Sequence, residues 1–414
     1  MKKFIHLFLL ALLSACAGAP AMEESLPTPT AEKGILVWVQ STKDVTGLQI
    51  LLDDYSRQTG EQVSLVSPLD DTQIASALTG EVSPDVLVLD GVEMVRYYTW
   101  VGYLKAITGV STESMLTAPL NQCQIDGTLY CLPWTTNFYT LYWNKVLFEV
   151  AGLDPEFPPQ TLEQLTEYAD QLTRFGLEGQ LDQVGFLPDK ITSHLWIYTY
   201  LQGGFWYSSD LSQLTVNSQS VQDALLWESQ FYTKYDSELV RDFQAKKGEN
   251  PFIDGSVALL IAPAGLIFPE DMNIGAGLIP FPGDALEKTG TFLFGGKMIV
   301  TPKVADSQNV KRFLEWMISP EISAQVACIE KDFPANHQGL RDPCFSDRFN
   351  VEDFVPMLES TIGYVRLSTP ASSELETVLS QVEEQVLSSG TDPGPLLEQI
   401  QGQLEVKFQE MMNK

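Results

Sequence analysis

The feature that most constrains this chain is an alternation of apolar runs and helical patterns near its start. Residues 35–39 read Ile-Leu-Val-Trp-Val, a continuous apolar run typical of a buried parallel strand. Strand patterns return at 62–66 and 86–89, and a short helical stretch occupies 74–78. The first helical segment places four residues on one face: Leu48, Leu51, Leu52 and Tyr55. This β-α-β-α-β order predicts an α/β fold with a doubly wound sheet.

The same pattern continues beyond this region. Thr161 and Gln164 have the spacing of a helix capping box, and apolar residues at helical spacing follow them. A second stripe of apolar residues runs from Val310 to Ile318 and ends before Pro320. The segment 374–412 is typical of two acidic helices. With 414 residues and 44% hydrophobic content, the chain is long enough for a large core. This composition excludes a wholly disordered, collagen-like or coiled-coil protein.

The charge balance is strongly acidic, with 54 Asp and Glu against 25 Lys and Arg and a formal charge of −29. A nucleic-acid-binding protein needs a cationic footprint, and the sequence has no dense run of Lys and Arg. We therefore expect no nucleic-acid partner. Acidity alone selects no function, because a solvated, soluble surface explains it.

The first residues have the pattern of an export signal. Lys2 and Lys3 precede an apolar run over 4–13, which is about half of the roughly 20 residues that span a bilayer. Leu13-Ser14-Ala15-Cys16 resembles a bacterial lipobox, in which the Cys is lipidated after cleavage. The sequence thus predicts a lipoprotein signal peptide at 1–15 and a lipid-anchored flexible tether at 16–33. The alternative is an ordinary signal peptide that contains a Cys.

Four further cysteines fall into two local pairs. Cys123 and Cys131 flank a segment with an Asp-Gly turn signal, and Cys328 and Cys344 bracket a second loop. Export implies an oxidising compartment, so two disulfides are the favoured interpretation. Four free thiols remain the alternative. No Cys-x-x-Cys is present, so we expect neither a metal site nor a cofactor.

Several sequence blocks together resemble the extracellular solute-binding proteins of ABC transporters, the family that includes maltose-binding and other sugar-binding proteins. The resemblance covers residues 35–405, and its specificity lies in the order of the blocks. They are 55–60 (Tyr-Ser-Arg-Gln-Thr-Gly), 84–86 with 102–104, 127–134 with 141–145, 151–153 with 158–163, 252–258 and 313–321.

The resemblance implies two interlaced α/β lobes joined by hinge crossings, with a ligand cleft between them. By analogy the first lobe takes 34–144 plus 276–318, and the second takes 145–275 plus 319–414. The hinge strands are then expected near Asn144, Gly275 and Ser319. In this family the closed, ligand-bound form is presented to permease subunits, which are the implied partners, and we expect a monomer.

A sugar needs an aromatic plane under its apolar face and polar side chains around its hydroxyls. We look for such residues at strand ends, in aromatic segments and in the loops that resemble the family's cleft loops. The candidate ligand-binding residues are Trp38, Gln40, Asp90, Trp134, Thr135, Trp196, Gly204, Phe205, Trp206, Gly295, Gly296, Phe333, Asn336 and Arg366. Core packing remains the alternative for Trp38 and Trp196, and a helix cap is the alternative for Asp90. Ala262-Pro263-Ala264 stands where many relatives have a Trp, so one stacking platform is expected to be absent.

The implied function is a membrane-anchored receptor outside the cell membrane that captures a sugar and delivers it to an ABC importer. A glycosidase is the enzymatic rival, but neither His-Glu-x-x-His nor Gly-x-Ser-x-Gly is present, and we expect no catalysis. Two other interpretations stay open. One is a polyamine or other cationic solute in an aromatic and acidic site. The other is a sensor lipoprotein without transport, because fold does not determine function.

Overall fold

The structure is a computed structural model of the chain. It describes residues 34–80, 84–188, 194–208, 210–246, 250–302, 307–346, 351–369 and 371–412. The predicted signal peptide, the lipidation site Cys16 and the tether at 16–33 lie outside the described residues.

Strands and helices alternate along the described chain. The strands are β1 Gly34–Val39, β2 Gln62–Val66, β3 Val86–Asp90, β4 Gln124–Ile125, β5 Thr128–Leu129, β6 Cys131–Pro133, β7 Thr135–Asn144, β8 Arg174–Phe175, β9 Leu181–Phe186, β10 Val257–Pro263, β11 Ile274–Gly277, β12 Thr291–Phe294, β13 Lys297–Val300, β14 Phe333–Pro334 and β15 Gly363–Val365.

The helices are α1 Val45–Thr59, α2 Asp71–Thr79, α3 Val95–Trp100, α4 Thr117–Gln122, α5 Lys145–Ala151, α6 Leu162–Leu172, α7 Leu195–Leu201, α8 Gln219–Thr233, α9 Ser237–Lys246, α10 Gln308–Met317, α11 Pro320–Glu330, α12 Pro343–Ser346, α13 Val355–Leu358, α14 Ser372–Ser389 and α15 Pro393–Met412. None of the helices that the structure describes is both long enough and apolar enough to cross a membrane.

The strands form two main sheets. The small sheet has the order β2-β1-β3-β13-β6, with β1 parallel to β3 and β13 antiparallel to both of its neighbours. The large sheet has the order β15-β12-β7-β10-β9-β8, and β11 and β14 also pair with β7. Parallel and antiparallel pairs therefore occur in both sheets, and the α/β class predicted from the sequence is confirmed.

Local sequence signals explain the first helix. Asp44 caps α1, because its Oδ1 accepts a hydrogen bond from the backbone N–H of Gly47 at 3.0 Å. The helix ends at Gly60, whose φ of +77° suits a residue without a Cβ. Leu48, Leu52 and Tyr55 are buried, as the spacing predicted, and they pack in the small-sheet core. The predicted stripe of α10 joins the same core.

The second core lies on the large sheet. Buried residues of β7, β9 and β10 pack there with α6, α7, α8, α14 and α15. Within this layer α8 contacts both α7 and α14. Trp196, Trp206 and Tyr207, which line the crevice described below, belong to this core.

The chain passes between the two main sheets three times along the described strands. Trp134 alone separates β6 of the small sheet from β7 of the large sheet, and Gly295-Gly296 separates β12 from β13. The third change passes through α10 and α11, with Ser319 between them. The first two changes do not occur at Asn144 and Gly275, because these residues lie in β7 and β11, which pair with each other. The assignment of segments to two lobes stays a prediction.

Both predicted disulfides are confirmed. Cys123 and Cys131, with Cα atoms 4.9 Å apart, join the end of α4 to β6 around the β4–β5 hairpin. Cys328 and Cys344, with Cα atoms 6.3 Å apart, join α11 to α12. Each bridge thus secures a short segment beside the small sheet or its neighbouring helices.

Candidate functional site

One shallow crevice brings together several of the residues predicted from the sequence. Its cavity volume is about 10 Å³, which is room for roughly one water molecule, so it is a narrow depression of the surface. We call it the aromatic pocket and define it by its lining residues: Trp196, Tyr200, Phe205, Trp206, Tyr207, Arg366 and Leu367. Both ends of α7, the turn after it and the segment after β15 supply these residues. Four predicted ligand-binding residues, Trp196, Phe205, Trp206 and Arg366, therefore meet in one place.

The aromatic rings of the pocket differ in their exposure to solvent. Trp196 and Tyr200 lie one helical turn apart on α7, with centroids 5.8 Å apart and rings nearly perpendicular. Phe205 meets Tyr200 edge to face at 4.6 Å and is 48% exposed. Trp196 and Trp206 are buried, and the Trp206 indole donates to Thr199 Oγ1 at 3.3 Å. Phe205 is thus the solvent-exposed ring among these residues, and the two tryptophans belong to the large-sheet core.

Arg366 brings a cation to this pocket. Its Nη1 lies 3.1 Å from Glu376 Oε2 of α14, and both side chains are one-third exposed. Burial raises the pKa of Tyr139, and the charge of Arg366 opposes this shift. The guanidinium therefore lies within electrostatic reach of the Tyr139 phenol, and part of it faces solvent.

Sequence reasoning missed Tyr139, which connects the pocket to the chain crossing at Gly295. The Tyr139 ring lies 4.4 Å from Phe294, 4.9 Å from His194 and 6.0 Å from Trp196, measured between centroids. Tyr139 belongs to β7, in which seven of ten residues are buried and polar and apolar residues do not alternate, so the sequence marks no face of this strand. The aromatic pair Phe138-Tyr139, directly after the segment 134–137, was the only sequence signal.

Glu93 was also missed, and it contacts the same crossing. Its Oε1 accepts a hydrogen bond from the backbone N–H of Gly295 at 3.1 Å. Burial raises the pKa of the Glu93 carboxyl, while hydrogen bonds from backbone N–H groups and the charge of Arg366 oppose the shift. An acidic residue three positions beyond a strand end is a weak signal, which a helix cap explains equally well. In the structure, this hydrogen bond from Gly295 to Glu93 holds the backbone of the crossing.

Asp90 lies in a network of three charged side chains and one hydroxyl that we call the junction network: Ser41, Asp90, Lys297 and Glu330. Lys297 Nζ lies 2.6 Å from Asp90 Oδ1 and 3.5 Å from Glu330 Oε2, and Ser41 Oγ donates to Asp90 Oδ2 at 2.5 Å. Both oxygens of Asp90 are therefore occupied by protein donors. Asp90 is not the N-cap of α3 either, because Met94 occupies the N-cap position of that helix.

Gln40 and Thr135 support the edges of the sheets. Gln40 Oε1 accepts from the backbone N–H of Asp90 at 2.9 Å. Thr135 is fully buried, donates to Asp332 Oδ2 and accepts from the N–H of Lys297, both at 2.9 Å. Burial raises the pKa of the Asp332 carboxyl, and the hydrogen bond from Thr135 opposes it. Thr135 thus makes both of these hydrogen bonds within the protein interior.

Four other predicted ligand-binding residues belong to the interior, which corrects the prediction. Trp38 and Trp134 are each 1% exposed, and Trp134 packs in the small-sheet core. Phe333 packs against Phe138 with centroids 4.9 Å apart. Asn336 is fully buried and donates to Ser114 Oγ at 2.9 Å. Aromatic and amide side chains have the same sequence appearance in a core and in a cleft, and burial alone separates them.

The predicted glycines have backbone and packing roles. A Cβ on Gly204 would lie 2.3 Å from Ser220 Cβ, so close packing against α8 explains that glycine. Gly295 and Gly296 have φ of +55° and +76°, which a residue without a Cβ adopts freely. A Cβ on Gly296 would also lie 2.5 Å from the Thr135 carbonyl oxygen. These glycines allow the tight passage between sheets.

Among the described residues, no group of three or more His, Cys, Asp or Glu side chains is arranged to hold a metal ion. The aromatic pocket offers the exposed ring of Phe205 and the partly exposed guanidinium of Arg366. Such a site suits recognition of a small molecule with an apolar face and a polar rim.

Curated relatives share part of the sequence. The sn-glycerol-3-phosphate-binding periplasmic proteins UgpB of Escherichia coli K12 and Shigella dysenteriae are each 25% identical over 219 residues. The matched region covers 48% of this chain and 47% of each relative. This chain thus spans about half the length of the curated relatives it matches.

Solved structures share the fold over nearly the whole chain. The sugar-binding protein MalE from Xanthomonas citri has a TM-score of 0.72 at 16% identity, covering 91% of this chain and 98% of MalE. UspC of Mycobacterium tuberculosis has a TM-score of 0.73 at 15% identity, covering 90% and 99%. CpMnBP1 with mannotriose bound has a TM-score of 0.63 at 22% identity, again covering 90% and 99%. The predicted two-lobe α/β fold is confirmed by these likenesses.

The match to a family model is longer than the match to the curated relatives. The model of the bacterial extracellular solute-binding protein family matches residues 51–347. That range contains both crossings at Trp134 and Gly295-Gly296, the α7 wall of the aromatic pocket and most of both sheets. The chain therefore belongs to the family of bacterial extracellular solute-binding proteins.

Proposed function

We propose that this protein captures an extracellular sugar or oligosaccharide in the aromatic pocket and delivers it to the permease of an ABC importer. The observation that carries this proposal is the exposed ring of Phe205 beside the partly exposed guanidinium of Arg366. A sugar ring stacks its C–H face on an aromatic plane and uses its hydroxyls as hydrogen-bond acceptors for a guanidinium. Family membership supports the capture of a solute.

The fold neighbours support a carbohydrate as the solute. CpMnBP1 was solved with mannotriose, and MalE of Xanthomonas citri is a sugar-binding protein. Phe205, at 48% exposure, is the exposed ring of the pocket. Its edge-to-face contact with Tyr200 holds the ring in one orientation, which reduces the entropy lost on binding.

A polyamine is the second candidate, and two observations weigh against it. The charged residue that lines the aromatic pocket is Arg366, which repels a cation. Asp90, the acid expected to attract a polyamine, is already paired with Lys297. The same electrostatics allow an anionic group on the solute, in spite of the formal charge of −29 on the whole chain.

The receptor is proposed to act without catalysis, as a monomer that is anchored outside the cytoplasmic membrane through a lipid on Cys16. The lipobox-like sequence 13–16 and the tether at 16–33 support the anchor. Incubation of cells that make the full chain with labelled palmitate tests it. Label should enter the wild-type protein and be absent from C16S, whereas label in both variants would place the lipid elsewhere.

Calorimetry on the full mature chain tests the ligand. The panel contains mono-, di- and trisaccharides of glucose and mannose, sn-glycerol-3-phosphate, and the polyamines putrescine and spermidine. We expect a sugar to bind, and we expect F205A to weaken the binding of that sugar. The control F157A removes a ring outside the pocket that is 65% exposed, and it should leave the affinity unchanged. Binding of a polyamine with no response to sugars would overturn the carbohydrate proposal.

Transport and sensing make the same prediction for binding, so an uptake assay must separate them. Deletion of the gene should abolish uptake of the labelled solute, and re-expression of the wild-type protein should restore it. Normal uptake in the deletion strain would favour a sensor.

A further inference from the structure

Glu93 contacts two parts of the chain that lie far from it in the sequence. Its side-chain Oε1 accepts a hydrogen bond from the backbone N–H of Gly295 at 3.1 Å. Its backbone carbonyl oxygen accepts a hydrogen bond from the N–H of Ser368, also at 3.1 Å. Gly295 belongs to the crossing between β12 and β13, and Ser368 directly follows Leu367 of the aromatic pocket. One residue of the small-sheet side therefore joins a crossing to a segment that lines the pocket.

The Arg366 guanidinium is shared by two carboxylates from different elements. Its Nη1 lies 3.1 Å from Glu376 Oε2 on α14. The second carboxylate is that of Glu93, in the connection between β3 and α3. The positive charge of Arg366 opposes the rise in the pKa of Glu93 that burial causes. A helix of the large-sheet core and a loop of the small sheet thus act on the same cation.

The Glu93 carboxyl occupies a space that depends on a glycine. A Cβ on Gly91 would lie 1.9 Å from Glu93 Oε2, and the φ of Gly91 is +77°. The Glu93 side chain therefore lies against the backbone that follows β3. Its second oxygen, Oε1, is the acceptor for the crossing. The carboxyl is thus held at a defined position rather than directed into solvent.

Three ionisable groups surround this carboxyl. Arg366, after β15, favours its ionised form, and Asp90, at the end of β3, disfavours it. The charge of Asp90 is itself paired with Lys297 of β13. The phenol of Tyr139 on β7 is the third group, because the charge of Glu93 raises its pKa and that of Arg366 lowers it. Arg366 is therefore the cation that couples Glu93 to the pocket.

We propose that Glu93 is a positioning residue for the solute: its carboxylate restrains the Arg366 guanidinium, and its hydrogen bond from Gly295 links this restraint to the crossing between the sheets. The inference rests on the proposed function and deepens it. When Glu93 is ionised, carboxylates from two elements hold the guanidinium, so a solute hydroxyl meets a donor that is already ordered. When Glu93 is neutral, Glu376 restrains the guanidinium alone, and the solute must order it on binding.

The direction of the pH dependence follows from this role. Burial raises the pKa of Glu93 above its ordinary value of 4.5, so Glu93 is neutral at pH 4 in the free protein. The affinity for a sugar should therefore increase as the pH rises through the raised pKa. Binding and ionisation are reciprocally linked, so a bound sugar lowers this pKa and protons are released.

Calorimetry on the full mature chain, with the sugar of the glucose and mannose panel that binds best, tests the inference. We expect the wild-type affinity to be about fivefold higher at pH 8 than at pH 4, the low end of coupling between two sites. E93Q keeps an oxygen that can accept from Gly295 but cannot ionise, so its affinity should be low at both pH values. E376Q should weaken binding and retain the pH dependence. The exposed control E384Q should match wild type at both.

Proton release gives a readout on the wild-type protein that does not depend on a variant folding well. The heat of sugar binding, measured between pH 4 and 8 in buffers with different heats of ionisation, should reveal protons released by wild type, and E93Q should release fewer.

Two outcomes separate this inference from the proposed function. A wild-type chain that binds a sugar with the same affinity at pH 4 and pH 8, or an E93Q variant with the wild-type pH profile, would overturn the role of Glu93 alone. A wild-type chain that binds no sugar of the panel would overturn the proposed function and this inference together.

Discussion

Lys297 Nζ lies 2.6 Å from Asp90 Oδ1 and is 3.5 Å from Glu330 Oε2, so one ammonium joins the end of β3 to the end of α11. Lys297 is also the first residue after the Gly295-Gly296 crossing. The side chains of Lys297 and Glu330 are almost fully buried, and that of Asp90 is about one-third exposed. A charge pair in such surroundings is costly to break, because the remaining charge stays desolvated.

We expect K297M to lower the free energy of unfolding by about 3 kcal/mol, since it leaves the buried Glu330 carboxylate without its cation. The control K234M removes an exposed cation from Asp170 and should cost less than about 1 kcal/mol. Urea unfolding monitored by circular dichroism measures both. The double variant K297M/E330Q should recover part of the loss. Equal stability of K297M and wild type would contradict a structural role for the network.

The two glycines at the crossing form a matched pair. Both have positive φ, but a Cβ on Gly295 meets nothing within 4 Å, whereas one on Gly296 lies 2.5 Å from the Thr135 carbonyl oxygen. G295A should cost about 1–2 kcal/mol for the backbone conformation alone. G296A should cost about 1–3 kcal/mol more, because the two strands must separate. Urea midpoints compare them, and equal losses would show that the contact with Thr135 is not limiting.

Substitutions of Trp134 and Phe205 should separate effects on folding stability from effects on ligand affinity. W134F leaves a cavity in the small-sheet core, so we expect a loss of about 2 kcal/mol in the free energy of unfolding. The dissociation constant for the best sugar should change less than twofold. F205A should show the reverse behaviour, with near-normal stability and weakened binding. A large loss of affinity in W134F at normal stability would return this residue to the ligand site.

A buried acid on α8 predicts the pH dependence of stability. Burial raises the pKa of Glu228 well above its ordinary value, and the neighbouring Glu383 carboxyl of α14 adds to the rise. Above the ordinary Glu pKa of 4.5 the folded chain therefore retains a proton that the unfolded chain has lost. The stability from this group is fully present below pH 4.5 and is lost as the pH rises through the raised pKa.

We expect E228Q to unfold at a higher temperature than wild type at pH 8 and at nearly the same temperature at pH 4, because its amide never ionises. E384Q, an exposed neighbour of Glu383 on the same helix, should change neither value. Scanning calorimetry at the two pH values measures the difference. An offset that is the same at both pH values would show that ionisation of Glu228 is not its cause.

Local sequence patterns predicted several of the strands and helices. The strands β1, β2 and β3, the buried face of α1 and the stripe of α10 were all readable from apolar spacing, since each element buries one periodic face. The disulfides followed from short loops in an exported chain. The two-lobe fold was readable from the order of the family-like blocks, although none of them is specific alone.

The site was predicted only in part. Phe205 and Arg366 came from aromatic and family-like segments, and they meet in the aromatic pocket. Tyr139 and Glu93 escaped prediction, because their partners Phe294 and Gly295 lie far away in the sequence. Pairing between distant strands brings them together, and no local pattern encodes that pairing.

The sequence by itself determined the element types, the cysteine pairs and the solute-binding family. The tertiary structure decided which aromatic rings reach solvent. Trp134 and Trp100 have the same side chain, yet one is 1% exposed and the other 53%. The reason is physical: burial depends on what packs over a residue from elsewhere in the chain. β6, β13 and α11 surround Trp134, whereas the outer rim of α3 leaves Trp100 uncovered.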